Sequence, residues 1–335
     1  MSVTPADRRP MRVLLDTTFT LRGPSGTAIY IDALATALAA EGIDVVRAAN
    51  HRRGAPGQGR VQSAANLLAD LRWTTVELPR LARAARVDVI HHPLPAHAPF
   101  AGIPQVITVH DLAFLSLPGM FDRRFAQWAA RAHRLAARRA DAVICVSQAT
   151  RAELWEHFRV DGIVARHGPG QAPAVPPARA AAVHFLYVGD DQPRKDLATL
   201  RAAHAGLGDG APPLEIAGGS GRRVSRDQLE ELHAGAIALV HPARTEGFGL
   251  TVLEAMAMGT PVIAARCPAT LEVGGSAIDY FEPGDVLGLT REMSLLAGDP
   301  AARAALASAG IRRAGEFTWQ ASARAHIEAY TLACR

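Results

Sequence analysis

The sequence predicts an α/β protein of two doubly wound domains, each a parallel sheet covered by helices, facing each other across a cleft. Three observations carry that prediction. Short apolar, β-branched runs alternate with helical stretches along the whole chain, and such alternation produces parallel sheets clothed in helices. The chain has 335 residues, too many for one small core and suited to two. Proline and glycine concentrate in Gly168–Ala182, GPGQAPAVPPARAAA, which reads as an interdomain linker.

The elements follow in order. Arg12–Thr18 reads as a strand, followed by a glycine turn, a helix over Ile29–Ala40 and a strand over Asp44–Ala49. The Gly/Arg-rich Asn50–Arg60 reads as a loop, and helical sequence then runs to Arg86. Strands return at Val87–His91, Gln105–Val109 and Ala142–Val146, with helices over Phe121–Ala140 and Gln148–Phe158. A second cycle starts at His184–Gly189. It continues with strands Leu214–Ala217, Ala236–Val240, Val262–Ala265 and Ile278–Phe281. The C-terminal stretch is helical, over Asp285–Leu296, Ala301–Gly315 and Thr318–Cys334. Ligands of such sheets bind beyond the carboxyl ends of the strands.

Composition narrows the function classes. Hydrophobic residues make up 49% of the chain, which supplies a large core and excludes global disorder. Aromatic residues are 5%, the net charge is only +4, and no nucleic-acid motif occurs, so no nucleic-acid partner is expected. Cys145, Cys267 and Cys334 are odd in number, widely spaced and outside any CxxC, which argues against a disulfide framework or a zinc site. No signal peptide is expected, since the first strand begins near Met11 with no apolar leader or cleavage site. No apolar run approaches the ~18 residues of a membrane span. A reducing cytoplasm fits these features. The helix Phe121–Ala140 carries Arg123, Arg124, Arg131, Arg134, Arg138 and Arg139 with Phe125 and Trp128 interleaved. Such a helix is either a solvated face or a peripheral contact with an anionic inner-membrane surface.

The most informative stretch is His241–Met258, HPARTEGFGLTVLEAMAM. A buried strand leads into a glycine loop and then into a helix. Glycines there let a ligand approach the backbone. The first free amides of the helix, Gly249 to Val252, form an anion site backed by the helix dipole. Glu254 lies one turn inside, where a carboxylate can accept hydrogen bonds from vicinal hydroxyls such as those of a ribose. A nucleotide diphosphate lying along this element fits both features.

Lys195 is the only lysine in the chain. It follows Arg194 in FLYVGDDQPRKD, after a strand whose exit Gly189 keeps tight. Two cations there suit a departing diphosphate, because they stabilise charge that grows in the transition state. Cations at a helix start oppose the dipole, which argues against a merely solvated turn. Asp190 and Asp191 suggest a rival Mg²⁺ site, but Arg194 and Lys195 would compete with the metal, so no metal is expected. GPSGTAIY, Gly23–Tyr30, is a glycine turn at the mouth of the first domain, without the GxGxxG spacing of dinucleotide binding. His110 and Asp111 follow a strand at its carboxyl end, where His110 can bond a sugar hydroxyl or carry protons. His91, His92 and His97, interrupted by Pro93 and Pro95, read as a loop lining the acceptor side of the cleft rather than as metal ligands.

With these residues in hand, the chain resembles the family 4 retaining glycosyltransferases. The likeness covers GPSGTAIY, VITVHDLAF, VICVSQATRAEL, FLYVGDDQPRKD, EGFGLTVLEAM, LEVGGSAIDYFEPGD and FTWQASARAHIEAY. It is greatest to mannosyl- and rhamnosyltransferase-like members of polysaccharide pathways. The resemblance implies a GT-B fold of two Rossmann-like domains, over 1–170 and 171–316, with a terminal helix over 317–335 crossing back. It implies a metal-independent enzyme without cofactor, using a nucleotide-sugar donor, GDP-mannose first, and a hydroxyl acceptor.

By the same resemblance, Arg194 and Lys195 hold the diphosphate and Glu254 the ribose. Glu246 and the amides running through Gly247, Phe248 and Gly249 to Leu250 and Thr251 hold the donor sugar. Gly189 belongs to the donor side as the turn out of its strand. His110 would face the sugar from the other domain, and Gly26 would sit under the diphosphate or acceptor. Three departures stand out. Asp190 occupies the place of a common Arg, Thr251 that of a common Pro, and only Ser220–Arg223 remain where the family has a further helix and strand bordering the nucleobase. A catalytically silent nucleotide-sugar-binding subunit and a GT-B sugar-nucleotide epimerase are the alternative functions.

Overall fold

The computed structural model describes residues 9–23, 25–54, 59–170, 172, 176, 179–219, 221–222 and 224–335. Within them the strands form two parallel sheets. The first holds β1 (Arg12–Asp16), β2 (Asp44–Ala48), β3 (Val89–His92), β4 (Gln105–Val109), β5 (Ala142–Cys145) and β6 (Ile163–Val164), in the order β2-β1-β3-β4-β5-β6. The second holds β7 (His184–Val188), β8 (Leu214–Ala217), β9 (Ala236–His241), β10 (Val262–Ala265) and β11 (Asp279–Phe281), in the order β11-β10-β9-β7-β8. The central strands β4 and β9 are buried throughout. Helices cover both faces of such strands, which is why they read as continuous apolar runs and not as alternation. The strand order reverses between β1 and β3, and again between β7 and β9. The loops leaving β7 and β9 therefore flank a topological switch point, where a ligand crevice forms.

The helix Trp319–Ala333 leaves the second sheet's side and packs into the first domain. Its Ala323, Ala329 and Tyr330 join Val13, Leu15, Ile31 and Leu34 in one apolar cluster. Polar bonds lock it there: Tyr330 Oη lies 2.8 Å from His91 Nδ1, and His326 Nε2 lies 2.8 Å from Tyr30 Oη.

Several element ends differ from expectation for identifiable reasons. The first helix begins at Gly26, three residues early, because Ser25 caps it through a 3.2 Å bond from Ala28 N. The stretch to Arg86 is two helices, Gly59–Arg72 and Leu78–Ala84, joined by a π turn over Trp73–Glu77. Pro79 follows at once, and without an N–H it cannot donate back to the preceding turn. β3 runs on through His92, and the two-residue edge strand β6 was not foreseen.

Part of the expected linker, 171, 173–175 and 177–178, lies outside the described residues, as do Ser220 and Arg223 of the shortened segment. Around that segment the second sheet stays whole, with β7 paired to β8 on one side and β9 on the other. Arg222 bridges to Ala217, and a reciprocal Ser225–Gln228 capping box then starts the helix Arg226–Gly235. The shortening thus leaves β8 as the sheet's edge without breaking the sheet.

Candidate active site

The loops leaving β7 and β9 are zipped together. Gly189 has no room for a side chain, because a Cβ would stand 2.9 Å from Tyr187 Oη, which itself donates to the Asp190 carbonyl at 2.6 Å. A 3₁₀ turn over Pro193–Lys195 follows. Asp196 then takes a left-handed conformation, φ 49°, that few residues other than Asn, Asp and Gly tolerate. Its carboxylate caps the helix Leu197–Ala205 and accepts from Arg244 Nε at 2.8 Å. Arg244 N in turn donates to the Arg194 carbonyl at 2.9 Å.

This zipper brings three expected residues into one cluster. Lys195 Nζ donates to Glu246 Oε1, His241 Nε2 donates to the same oxygen at 3.0 Å, and Arg194 Nη1 stands 3.5 Å from Glu246 Oε2. Lys195, Arg194 and Glu246 are all largely buried side chains. Burial alone would raise the Glu246 carboxyl. Lys195, His241 and Arg194 outweigh it and hold the group well below the usual carboxylate range. Glu246 is therefore ionised at neutral pH. Burial lowers the His241 pKa against the pull of Glu246, which favours a neutral ring with its proton on Nε2. Arg194 keeps its charge, since Glu246, Asp111 and Asp190 offset its burial.

The loop then enters the helix Leu250–Ala257 through Gly249, whose φ of 93° needs glycine. Gly249 is the N-cap, and the amides of Leu250, Thr251 and Val252 are those a helix start leaves without an intrahelical partner. Leu250 faces Gly26 of the first domain, whose missing Cβ would be 3.9 Å from Leu250 Cδ2. Glu254 is buried one turn on, at 7% exposure, beside Gly170: a Cβ there would stand 2.8 Å from its Oε1. Phe248 is buried against His167, centroids 4.8 Å apart.

The first domain contributes His110 directly opposite. Its Nε2 donates to the Pro93 carbonyl at 2.9 Å, which leaves Nδ1 with the lone pair. Burial lowers its pKa, so the ring is a neutral acceptor. The backbones of the two domains touch here. A Cβ on Gly247 would stand 1.9 Å from the His110 carbonyl oxygen. Gly247 and Leu250, on the loop and helix start that follow Glu246, thus approach His110 and Gly26 of the first domain.

One expectation is corrected. His91 and His92 do not line a loop: they are strand residues, 0% and 1% exposed, bonded to Thr108 and Tyr330 and to Gln105 respectively. The chain stays extended as far as Pro93, so both histidines fall inside the sheet. The Asp190 carboxylate turns back onto Gln192 Nε2 at 2.7 Å. Among the described residues no group of three His, Cys, Asp or Glu side chains is arranged for a metal. Sequence reasoning missed His241, Ser147, Thr150 and His167. His241 ends β9 five residues before Glu246, a signal that was available. Ser147 was visible only as a helix-capping serine. His167 stacks on Tyr30 at 4.8 Å, and its ring nitrogens have no hydrogen-bond partner among the described residues.

Comparison with known proteins gives a consistent result. The model for Glycosyltransferase Family 4 matches residues 24–168, and that for Glycosyl transferases group 1 matches residues 171–299. The chain is 25% identical over 284 residues to O-antigen chain mannosyltransferase B of Escherichia coli, covering 73% of this chain and 74% of that one. Sucrose-phosphate synthase from Thermosynechococcus elongatus superposes with a TM-score of 0.77 at 19% identity, over 96% of this chain and 98% of that one. HepE from Anabaena, solved in complex with UDP-glucose, superposes at 0.67 with 16% identity, over 95% and 98%. At these identities the two structural likenesses show the fold.

Proposed function

Because this chain belongs to the family 4 glycosyltransferases of GT-B fold, with a mannosyltransferase among its relatives, we propose that it is a retaining, metal-independent hexosyltransferase. It moves a hexose from a nucleotide diphosphate sugar to a hydroxyl acceptor in the synthesis of a polysaccharide, glycolipid or glycosylated metabolite. One observation supports this above all: Arg194 and Lys195 meet Glu246 on the loop that opens the Gly249-capped helix. The diphosphate sits on the two cations and the amides of Leu250 and Thr251. Glu254 takes the ribose hydroxyls, Glu246 the donor sugar, and His110 a sugar hydroxyl from the opposite side.

In this reading the bond from the anomeric carbon to the phosphate oxygen breaks as the acceptor oxygen bonds the same face. The acceptor's proton passes to the departing phosphate oxygen. The protein supplies positioning and charge stabilisation rather than a nucleophile. GDP-mannose is the first donor, in keeping with the mannosyltransferase relative.

The test is a panel of GDP-mannose, UDP-glucose, dTDP-rhamnose and ADP-glucose with simple glycoside acceptors, with and without EDTA. The expected result is transfer from GDP-mannose, undiminished by EDTA, with retained anomeric configuration and one nucleoside diphosphate released per product. An epimerised donor without nucleotide release makes the protein an epimerase. No turnover with any donor, despite a raised melting temperature, makes it a silent binding subunit. A saturating ligand raises stability by about 2.7 kcal/mol at a hundredfold excess over Kd, so binding is readable without turnover. Activity lost to EDTA and restored by Mg²⁺ moves the site to Asp190 and Asp191.

We also propose that the helix Arg123–Arg139 rests on an anionic membrane surface. Phe125, Trp128 and Leu135 are 48%, 60% and 55% exposed among arginines, the combination such surfaces bind. No helix among the described residues is long and apolar enough to cross a membrane. The protein should float with phosphatidylglycerol vesicles, not with phosphatidylcholine ones, and high salt should release it. Failure to float with the anionic vesicles overturns this contact.

A further inference from the structure

Ser147 and Thr150 belong to the first domain, at the start of the helix Gln148–Phe158, yet their hydroxyls reach the loop that carries Glu246. Ser147 Oγ lies 2.6 Å and Thr150 Oγ1 3.1 Å from the Gly247 carbonyl oxygen. Thr150 Oγ1 also lies 3.0 Å from the His110 carbonyl oxygen. Both side chains are buried. Each hydroxyl has one proton to give. Ser147 donates to Gly247 O at the shorter distance, and Thr150 donates to His110 O or Gly247 O. One threonine thus touches the residue after Glu246 and the backbone of His110 together.

A second clasp lies at the same helix start. Glu272 Oε2, from the helix Pro268–Gly274 of the second domain, accepts from Gln148 N at 2.8 Å and Ala149 N at 3.3 Å, and its Oε1 accepts from Arg166 Nε at 2.6 Å. The helix is therefore capped from its own side by Ser147, through a 2.9 Å bond from Thr150 N, and from across the cleft by Glu272.

We propose that Ser147 and Thr150 are positioning residues that register the Glu246 loop of one domain against His110 of the other. Glu246 and His110 then stand in working order only while the two domains are clasped. The Gly247 carbonyl, one peptide from Glu246, keeps Ser147 as a donor when the Thr150 hydroxyl is removed, whereas the His110 carbonyl loses that hydroxyl, and a carbonyl that loses its donor must find another or move. Glu246 in turn holds Lys195, so a loosened loop also frees the chain's single lysine amine. The kinetic part of this proposal rests on the transfer function above, and the registering part does not.

The experiment compares Thr150→Val, which keeps the shape and the Ser147 cap but loses the hydroxyl, with Thr150→Ser, which keeps the hydroxyl. Two quantities are measured in each: turnover and nucleotide affinity, and the acetylation rate of Lys195 relative to the N-terminal amine by mass spectrometry. Thr150→Val should lower turnover about tenfold or more while nucleotide affinity stays within about threefold. Its Lys195 should acetylate several-fold faster, and Thr150→Ser should return both quantities to wild type. Unchanged turnover and acetylation in Thr150→Val overturns the proposal. So does an equal loss of affinity and turnover that Thr150→Ser fails to restore, which marks a merely structural role. If the wild type transfers no sugar at all, the transfer function falls, and the acetylation contrast still decides the registering role. Should the valine variant not fold, Thr150→Ala gives the same contrast against Thr150→Ser.

Discussion

Replacing Lys195 with alanine should lower turnover on the order of a hundredfold or more. Its ammonium is one of two cations on the loop after β7, and the structure holds it against Glu246. In the proposed reaction, negative charge grows on the leaving diphosphate as the donor bond breaks, and a positioned cation gains strength with it. Loss of a comparable oxyanion-hole donor costs about 2.7–4 kcal/mol, which sets the scale. Glu246 keeps His241 and Arg194 as partners in the variant, so its carboxylate stays compensated and the fold should persist with a lowered melting temperature. Lys195→Arg should recover nucleotide binding better than turnover, because a planar guanidinium cannot follow phosphate oxygens as a point charge on a flexible stem can. Steady-state kinetics well below the melting temperature checks this. Wild-type turnover in Lys195→Ala would remove the residue from the mechanism.

Gly247→Ala should have an effect of similar size for a different reason. The added Cβ would stand 1.9 Å from the His110 carbonyl oxygen and 2.7 Å from its carbonyl carbon. Both are backbone atoms with nowhere to swing. The Glu246 loop and the first domain must therefore part by about 1 Å, and a misplacement of that size costs on the order of a hundredfold in rate. The cations, the helix amides and Glu254 lie on the second domain with the Glu246 loop and should move with it as one body. Nucleotide affinity should hold while turnover falls, a split that steady-state kinetics and titration read directly. Normal turnover in this variant would show that the closed approach of the two domains is not needed for the reaction.

Much of this arrangement is legible in the sequence. Gln105–Val109, Leu214–Ala217, Val262–Ala265 and the helix Gln148–Phe158 have the bounds their apolar patterns predict. The glycines, Glu246 and the Arg194–Lys195 pair are read from one strand–loop–helix unit each, where local chemistry dictates geometry. What was not legible is set by contacts between distant residues. Lys195 meets Glu246 across 51 residues, and Ser147 meets Gly247 across 100. No local pattern marks either pair. His91 and His92 misled because polar side chains flanked by prolines suggest a loop, whereas here Thr108, Gln105 and Tyr330 satisfy them inside the core. The start of the first helix was missed because Gly26 and Thr27 are weak helix formers, and the Ser25 cap outweighs that.

A nucleotide diphosphate is proposed to sit between Lys195, Arg194 and the helix start at Leu250. Calorimetric titration of the nucleoside mono- and diphosphates of the base that most raises the melting temperature tests it most directly, in the wild type and in Lys195→Ala. A hydrogen bond to a charged group contributes about 1.5–3 kcal/mol. The wild type should therefore prefer the diphosphate, and Lys195→Ala should cut that preference by about tenfold to a hundredfold with monophosphate affinity unchanged. An equal preference in both proteins would place the diphosphate elsewhere and contradict the account.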